Sequence, residues 1–228
     1  MLHAPTESEI AALFQLRFPE ICRKIAELAH YVTLSNNETF LTIGQRQNRM
    51  LFLVDGIARF YYMDSSGREL TQCFCRTPGF PLMVNINTAG SLSGAHAVVE
   101  MTALEIPMDK GYAIMTTHPE LTTFYCQVLN YALLYHAEIA VMLRCTTPQQ
   151  RYQWLCHRMP QVVACAQKRH IASFLGITPE TYSRLLAKNP AVPAVSDDIP
   201  TMYDAVEGRT TTFLWGQVKN SQFPPDNS

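Results

Sequence analysis

Residues Glu120 to Arg144 contain neither glycine nor proline. An interior proline would cost a helix about 3 kcal/mol and a glycine about 1 kcal/mol, so the stretch reads as one long helix. Leu121, Phe124, Tyr125, Val128, Leu129, Ala132, Leu133, Tyr135, Ala137, Ile139, Ala140, Met142 and Leu143 make it apolar over more than one face. One face can cover a neighbouring domain while another meets a partner helix, which predicts a homodimer. Burial of the whole helix inside one subunit is the competing reading.

The periodicity differs on the two sides of this helix. From His30 to about Pro107 short β-rich runs follow one another: YVTL, ETFLTI, RMLFLV, ARFYYM, LTQCFC, HAVVEM and TALEI. Asp55-Gly56, Asp64-Ser-Ser-Gly67 and Pro78-Gly79 separate several of them with turn-forming residues. Many short strands at close spacing predict a sandwich, barrel or roll. Residues 6–29 repeat apolar positions at helical spacing, and Thr6 with Glu9 forms a capping-box pattern, so one or two short helices open the chain. A length of 228 residues suits two domains. No apolar run reaches the roughly 20 uninterrupted residues of a membrane span, and the N-terminus has no secretory pattern. A soluble, cytoplasmic protein with no membrane partner is expected.

Beyond the long helix, Thr147-Pro148 reads as an N-cap followed by proline at the first helical position, opening a helix to about Met159 where Pro160 stops it. The segment KRHIASFLGITPETYSRLLAK, 168–188, divides into two short helices around Gly176. Ile171, Ala172, Phe174 and Leu175 face inward on the first. Thr178 caps the second, Pro179 starts it, and Tyr182, Leu185 and Leu186 supply its buried side. Residues 144–190 carry Arg144, Arg151, Arg158, Lys168, Arg169, Arg184 and Lys188 against Glu180 alone, a net of +6 in a chain of net −1. A basic block inside an acidic chain is the footprint of a surface that binds a polyanion.

The order of helical start, β-rich domain, long helix and IASFLGITPETYSRLLA resembles the cyclic-AMP-receptor/FNR (CRP/FNR) family of bacterial transcription regulators, from about residue 10 to 188. A-x-x-L-G-I-T-P-E-T-x-S-R is the most specific part, and GIARFYYMDSSGRELTQCFC and FPLMV fit the family's sensor domain more loosely. The resemblance implies an α+β fold: a cyclic-nucleotide-binding-like β-roll (jelly roll) over 1–119, a dimerisation helix over 120–146, a helix-turn-helix DNA-binding domain over 147–190, and an atypical, flexible tail over 191–228. It implies a sequence-specific DNA-binding regulator that meets an inverted-repeat operator as a homodimer and acts on RNA polymerase. Pro179 to Lys188 becomes the recognition helix, exposing Glu180, Thr181, Ser183, Arg184 and Lys188. A carboxylate accepts from cytosine N4 and a guanidinium donates twice to guanine, so Glu180 and Arg184 can read neighbouring base pairs. Lys168, Arg169, His170 and Thr178 are placed to grip phosphates.

Three features depart from the family. Cyclic-nucleotide-binding members use a carboxylate and an Arg-Ser or Arg-Thr pair, yet Pro78 to Val99 holds neither Glu nor Arg, which speaks against cyclic AMP. Cys22 alone lies near the N-terminus, so an iron–sulfur cluster is not expected. The segment NPAVPAVSDDIP replaces the family's basic hairpin with acidic and proline-rich sequence, although TTTFLWGQV (210–218) could form a strand. The seven cysteines read as reduced thiols, with Cys73 and Cys75 on one strand face as small hydrophobes. His96 and Glu100 lack the second histidine of an H-x-H metal site, so His96 reads as a hydrogen-bonded structural residue. No cofactor, no metal and no enzymatic constellation are expected, and any small-molecule effector is unidentified. The alternative is a small-molecule or thiol-redox sensor that acts through a protein partner without productive DNA binding.

Overall fold

A computed structural model of the chain describes residues 3–83 and 90–188. The tail over 191–228, with its possible strand, and part of the Pro78–Val99 segment lie outside the described residues.

Thr6 and Glu9 close the expected capping box on α1 (Glu7–Phe14), and Pro19 begins α2 (Pro19–Leu28). Among the described residues eight strands follow: β1 (His30–Leu34), β2 (Thr39–Leu41), β3 (Arg49–Asp55), β4 (Ala58–Met63), β5 (Glu69–Cys75), β6 (Pro81–Met83), β7 (Gly94–Ala97) and β8 (Met101–Pro107). They form two antiparallel four-stranded sheets, β1-β8-β3-β6 and β2-β7-β4-β5. Strand alternation sends Leu51, Leu53, Ala58, Phe60, Cys73, Cys75, Ala95 and Ala97 into one shared core. Phe40 meets Phe60 edge-on at 6.3 Å there.

The outer face of the first sheet carries Met50, Phe52, Leu104 and Ile106, and α1, α2 and α3 (Met108–Thr117) cover it. Phe14 packs edge-on against Phe52 at 4.9 Å and Phe124 at 5.7 Å. An apolar void of about 60 Å³ remains beneath these helices. Helix α3 fills a stretch where the sequence pattern indicated only that strands end.

The long helix, α4 (Pro119–Cys145), extends the expected Glu120–Arg144 by one residue at each end. By length and composition it could cross a membrane. It instead carries buried polar contacts to other elements: Tyr135 donates to the Phe74 carbonyl at 2.9 Å, and Glu138 is 4% exposed. Its opposite side is bare, with Leu129, Leu133 and Leu134 49–68% exposed.

Four short helices complete the described chain: α5 (Pro148–Arg158), α6 (Pro160–Cys165), α7 (Lys168–Phe174) and α8 (Pro179–Lys188). Thr147 caps α5 in a box with Gln150. Pro160 ends α5 as expected, but it also opens α6, because proline is tolerated at a first helical position. Trp154, Leu155, Val162, Ile171, Ala172, Phe174, Leu175 and Tyr182 fill the interior of this helical head.

Candidate nucleic-acid interface

Helices α7 and α8 are joined by a turn that Gly176 makes possible. Its φ of +63° lies in the left-handed region, where a Cβ would be strained. The Gly176 N–H donates to the Ser173 carbonyl at 3.1 Å and that of Ile177 to Ala172 at 3.0 Å, closing the end of α7. Thr178 Oγ1 accepts from the Thr181 N–H at 3.2 Å and so caps α8, as its sequence indicates. Tyr182 is turned fully inward and meets Tyr152 edge-on at 5.8 Å. Glu180, Ser183, Arg184 and Lys188 therefore face outward, and Thr181 is half-buried. Arg184 Nη2 reaches Thr181 Oγ1 at 3.3 Å. The Glu180 carboxyl is held below the usual carboxylate range by its own backbone N–H and by Thr178, with Arg184 adding to the effect. It is an acceptor at neutral pH.

Lys168, Arg169 and Thr178 are exposed beside this face. His170 is not: it is 6% exposed and turned toward the β-roll. Its assignment as a phosphate-gripping residue is corrected accordingly, because the apolar period of so short a helix does not reveal that its remaining side packs on a second domain. The basic block is also smaller at the surface than its sequence suggests. Arg151 spends its guanidinium on three carbonyls, those of Leu143 (2.8 Å), Leu175 (2.9 Å) and Thr146 (3.2 Å). Arg158 lies 3.9 Å from the buried Glu138 carboxylate. Arg144, Lys168, Arg169, Arg184 and Lys188 remain as outward cations.

The head sits on the outer face of the second sheet. Arg59, Phe74 and His96 are register partners and point the same way, toward α7. Phe74 meets Phe174 edge-on at 5.4 Å, and the His96 and His170 rings lie 5.3 Å apart. Between Phe60–Cys73 and Tyr61–Thr71 the ladder skips Gln72, a β-bulge that re-aims Thr71 and Glu69 onto this outer face. Arg59, with no solvent exposure, donates to Glu69 at 2.5 Å and through Nε to Thr71 Oγ1 at 2.9 Å. The Thr71 N–H in turn donates to Ser173 Oγ of α7 at 2.9 Å.

Solved structures share this architecture at low identity. FixK2 from Bradyrhizobium japonicum is 16% identical with a TM-score of 0.60, covering 70% of this chain and 83% of its own. The c-di-GMP-responsive global regulator CLP of Xanthomonas campestris is 13% identical with a TM-score of 0.62, covering 75% and 91%. A protein of Eubacterium rectale described as a transcriptional regulator of the crp/fnr family is 14% identical with a TM-score of 0.61, covering 85% and 86%. The chain has a CRP/FNR-type fold. No protein-family model and no curated protein matches the sequence.

Within this CRP/FNR-type fold the roll interior is occupied by side chains of its own strands, including Phe40, Leu41, Leu53, Phe60 and Met83. Cys73 and Cys75 lie in it on one strand face, as expected, and burial pushes the Cys75 thiol up to about 12 and raises that of Cys73. Cys126, Cys145 and Cys165 are exposed thiols. His96 is buried against His170, and its Nε2 has no hydrogen-bond partner among the described residues. Sequence reasoning missed Arg59, Glu69 and Thr71. A lone arginine in the strand run ARFYYM reads as an outward, solvated residue, and the only sequence signal was that three aromatic residues follow it.

Proposed function

We propose that the chain is a sequence-specific DNA-binding transcription regulator of the CRP/FNR type, soluble and cytoplasmic, and not an enzyme. The observation that carries this reading is the outward face of α8. A glycine turn and a threonine cap set a ten-residue helix in which Tyr182 is buried while Glu180, Ser183, Arg184 and Lys188 stand free of the core. In this reading α7 and α8 are a helix-turn-helix, with α8 in the major groove. Glu180 and Arg184 contact base edges, with Thr181 and Ser183 beside them, and Lys168, Arg169, Thr178 and Lys188 position the helix on phosphates. His170 is left out of that set.

The bare stripe of α4 supports a homodimer. Cys126, Leu129, Leu133, Ala137 and Ala140 recur at the three- and four-residue spacing of a helix–helix seam. Two-fold pairing through it would present two α8 helices to an inverted-repeat operator about 34 Å apart, one helical turn of DNA. RNA polymerase is the partner such a regulator addresses. The β-roll is its sensing domain, and it does not bind cyclic AMP.

Selection of bound duplexes from a random pool by the purified chain tests the assignment. Enrichment of an inverted repeat, lost on Arg184→Gln, is the expected result. A folded dimer that enriches nothing would reject DNA reading and favour a sensor that works through a protein partner.

A further inference from the structure

The contact between α7 and the second sheet is polar at its centre, where Arg59, Thr71, His96 and His170 are buried beside the partly exposed Glu69. Arg59 on β4 is fully buried, stacks over Tyr61 with Cζ 4.9 Å from the ring centroid, and faces one carboxylate, Glu69 of β5. His96 of β7 and His170 of α7 meet ring to ring at 5.3 Å beside it. Arg169 Nε donates to His170 Nε2 at 3.2 Å, which requires His170 to offer a lone pair and so to be neutral. Arg59 Nη2 and His96 Nε2 have no hydrogen-bond partner among the described residues. Arg68 and Glu69 of the β4–β5 hairpin face Arg169 and His170 across the groove that borders α7.

We propose that this junction is an acid-sensitive latch: two neutral histidines and the Arg59–Glu69 pair hold the helical head on the β-roll, and proton uptake by the histidines releases it. Charging the rings in place would set two further cations beside the guanidiniums of Arg59 and Arg169, with Glu69 as the one carboxylate among the groups described above to offset them. It would also abolish the Arg169–His170 hydrogen bond. Burial, and then the nearby Arg59, hold both histidines below their ordinary value of 6.5, His170 at about 4. Released histidines regain the ordinary value. Docking is therefore at full strength above about pH 6.5 and weakens as pH falls, until near pH 4 docked His170 also takes up its proton. Each histidine that charges only on release shifts the equilibrium by up to about tenfold per pH unit in that window. Opening would free α7 and α8 as a unit, because Thr71–Ser173 and Phe74–Phe174 join the head to the same sheet face.

Hydrogen exchange on the full chain, corrected for intrinsic pH dependence, reads this without DNA, so its failure is distinct from failure of the DNA assignment. Peptides covering Thr71–Cys75 and Gln167–Leu175 should lose protection progressively from pH 6.5 toward pH 4.5. A peptide covering α1 should keep its protection. The His96→Gln/His170→Gln double variant, folded at pH 7.5 by circular dichroism, should show a flat profile at the junction over the same range. Equal pH dependence in variant and wild type, unchanged junction protection in wild type down to pH 4.5, or simultaneous loss at α1 would each overturn the latch.

Discussion

Trp154 Nε1 donates to the carboxylate of Glu138 at 3.0 Å, with both side chains almost wholly buried where α5 returns against α4. The pair ties α5 to α4. Arg158 supplies the second charge at 3.9 Å, which keeps the buried carboxylate compensated. Glu138→Leu leaves an indole N–H without its acceptor and a half-buried guanidinium without its counter-charge, and should destabilise the fold by about 2–4 kcal/mol. Glu138→Gln keeps an acceptor for Trp154 and should cost about half as much. Urea unfolding followed by tryptophan fluorescence measures both.

Arg151 should behave as a structural residue although it belongs to the most basic part of the chain. Its guanidinium bridges the carbonyls at the ends of α4 and α7, so Arg151→Met should cost about 2–3 kcal/mol. Lysine presents a point charge instead of a planar fork, and Arg151→Lys should recover less than half of the loss. Equal stability of the methionine variant and wild type in urea would contradict this role.

Two turn glycines should respond differently to alanine. Gly56 has φ +105°, and a Cβ there would stand 2.3 Å from Met101 Cβ, at the start of β8. Gly67, with φ +78°, has nothing within 4 Å of its Cβ position. Gly67→Ala should cost only the left-handed backbone penalty of about 1–2 kcal/mol. Gly56→Ala adds a clash that only movement of β8 relieves, and a total of about 3–5 kcal/mol is expected. Thermal melts of the two variants should separate clearly.

Leu133 is 68% exposed on α4, so its replacement should leave the subunit fold intact while removing the centre of the proposed seam. In a two-fold dimer each substitution counts twice. At about 2 kcal/mol or more per buried leucine lost at a hot spot, Leu133→Glu should weaken dimerisation by roughly a thousandfold. Sedimentation velocity should show a folded monomer at concentrations where the wild type is a dimer. A variant that remains dimeric would place the interface elsewhere.

The elements that announce themselves by period and by caps were legible in the sequence. Thr6 with Glu9, the glycine- and proline-free α4, and Gly176 followed by Thr178-Pro179 each specify local geometry within a few residues. The three-residue β6 was not, since Pro81–Met83 is too short to show alternation. Helix α3 was missed because Gly111 interrupts its pattern; a Cβ there would stand 2.6 Å from Met50 Sδ, near the end of a flexible side chain. The fate of each charge was the least legible feature. Whether Arg59, Arg151 or His170 faces water depends on which surfaces of separate elements meet, and linear spacing carries no term for that.

Salt dependence separates the charges that face outward from those that do not. Each phosphate neutralised contributes about −0.9 to the slope of log affinity against log salt. Lys168, Arg169 and Lys188 are exposed, so an alanine at any one of them that grips a phosphate should make the slope shallower by about 1 and weaken all duplexes alike. Arg184→Gln should instead relax the preference at one base position, by about 1–3 kcal/mol of discrimination, because a guanidinium that donates twice to a guanine is what distinguishes that base. His170→Gln should leave the slope unchanged at pH 7.5, since the buried ring contacts Arg169 and His96 and not solvent. Affinity titrations of the enriched duplex over a series of salt concentrations measure all of these slopes. A slope that Lys168, Arg169 and Lys188 each leave untouched would mean that the head meets DNA by another face, or that it meets none.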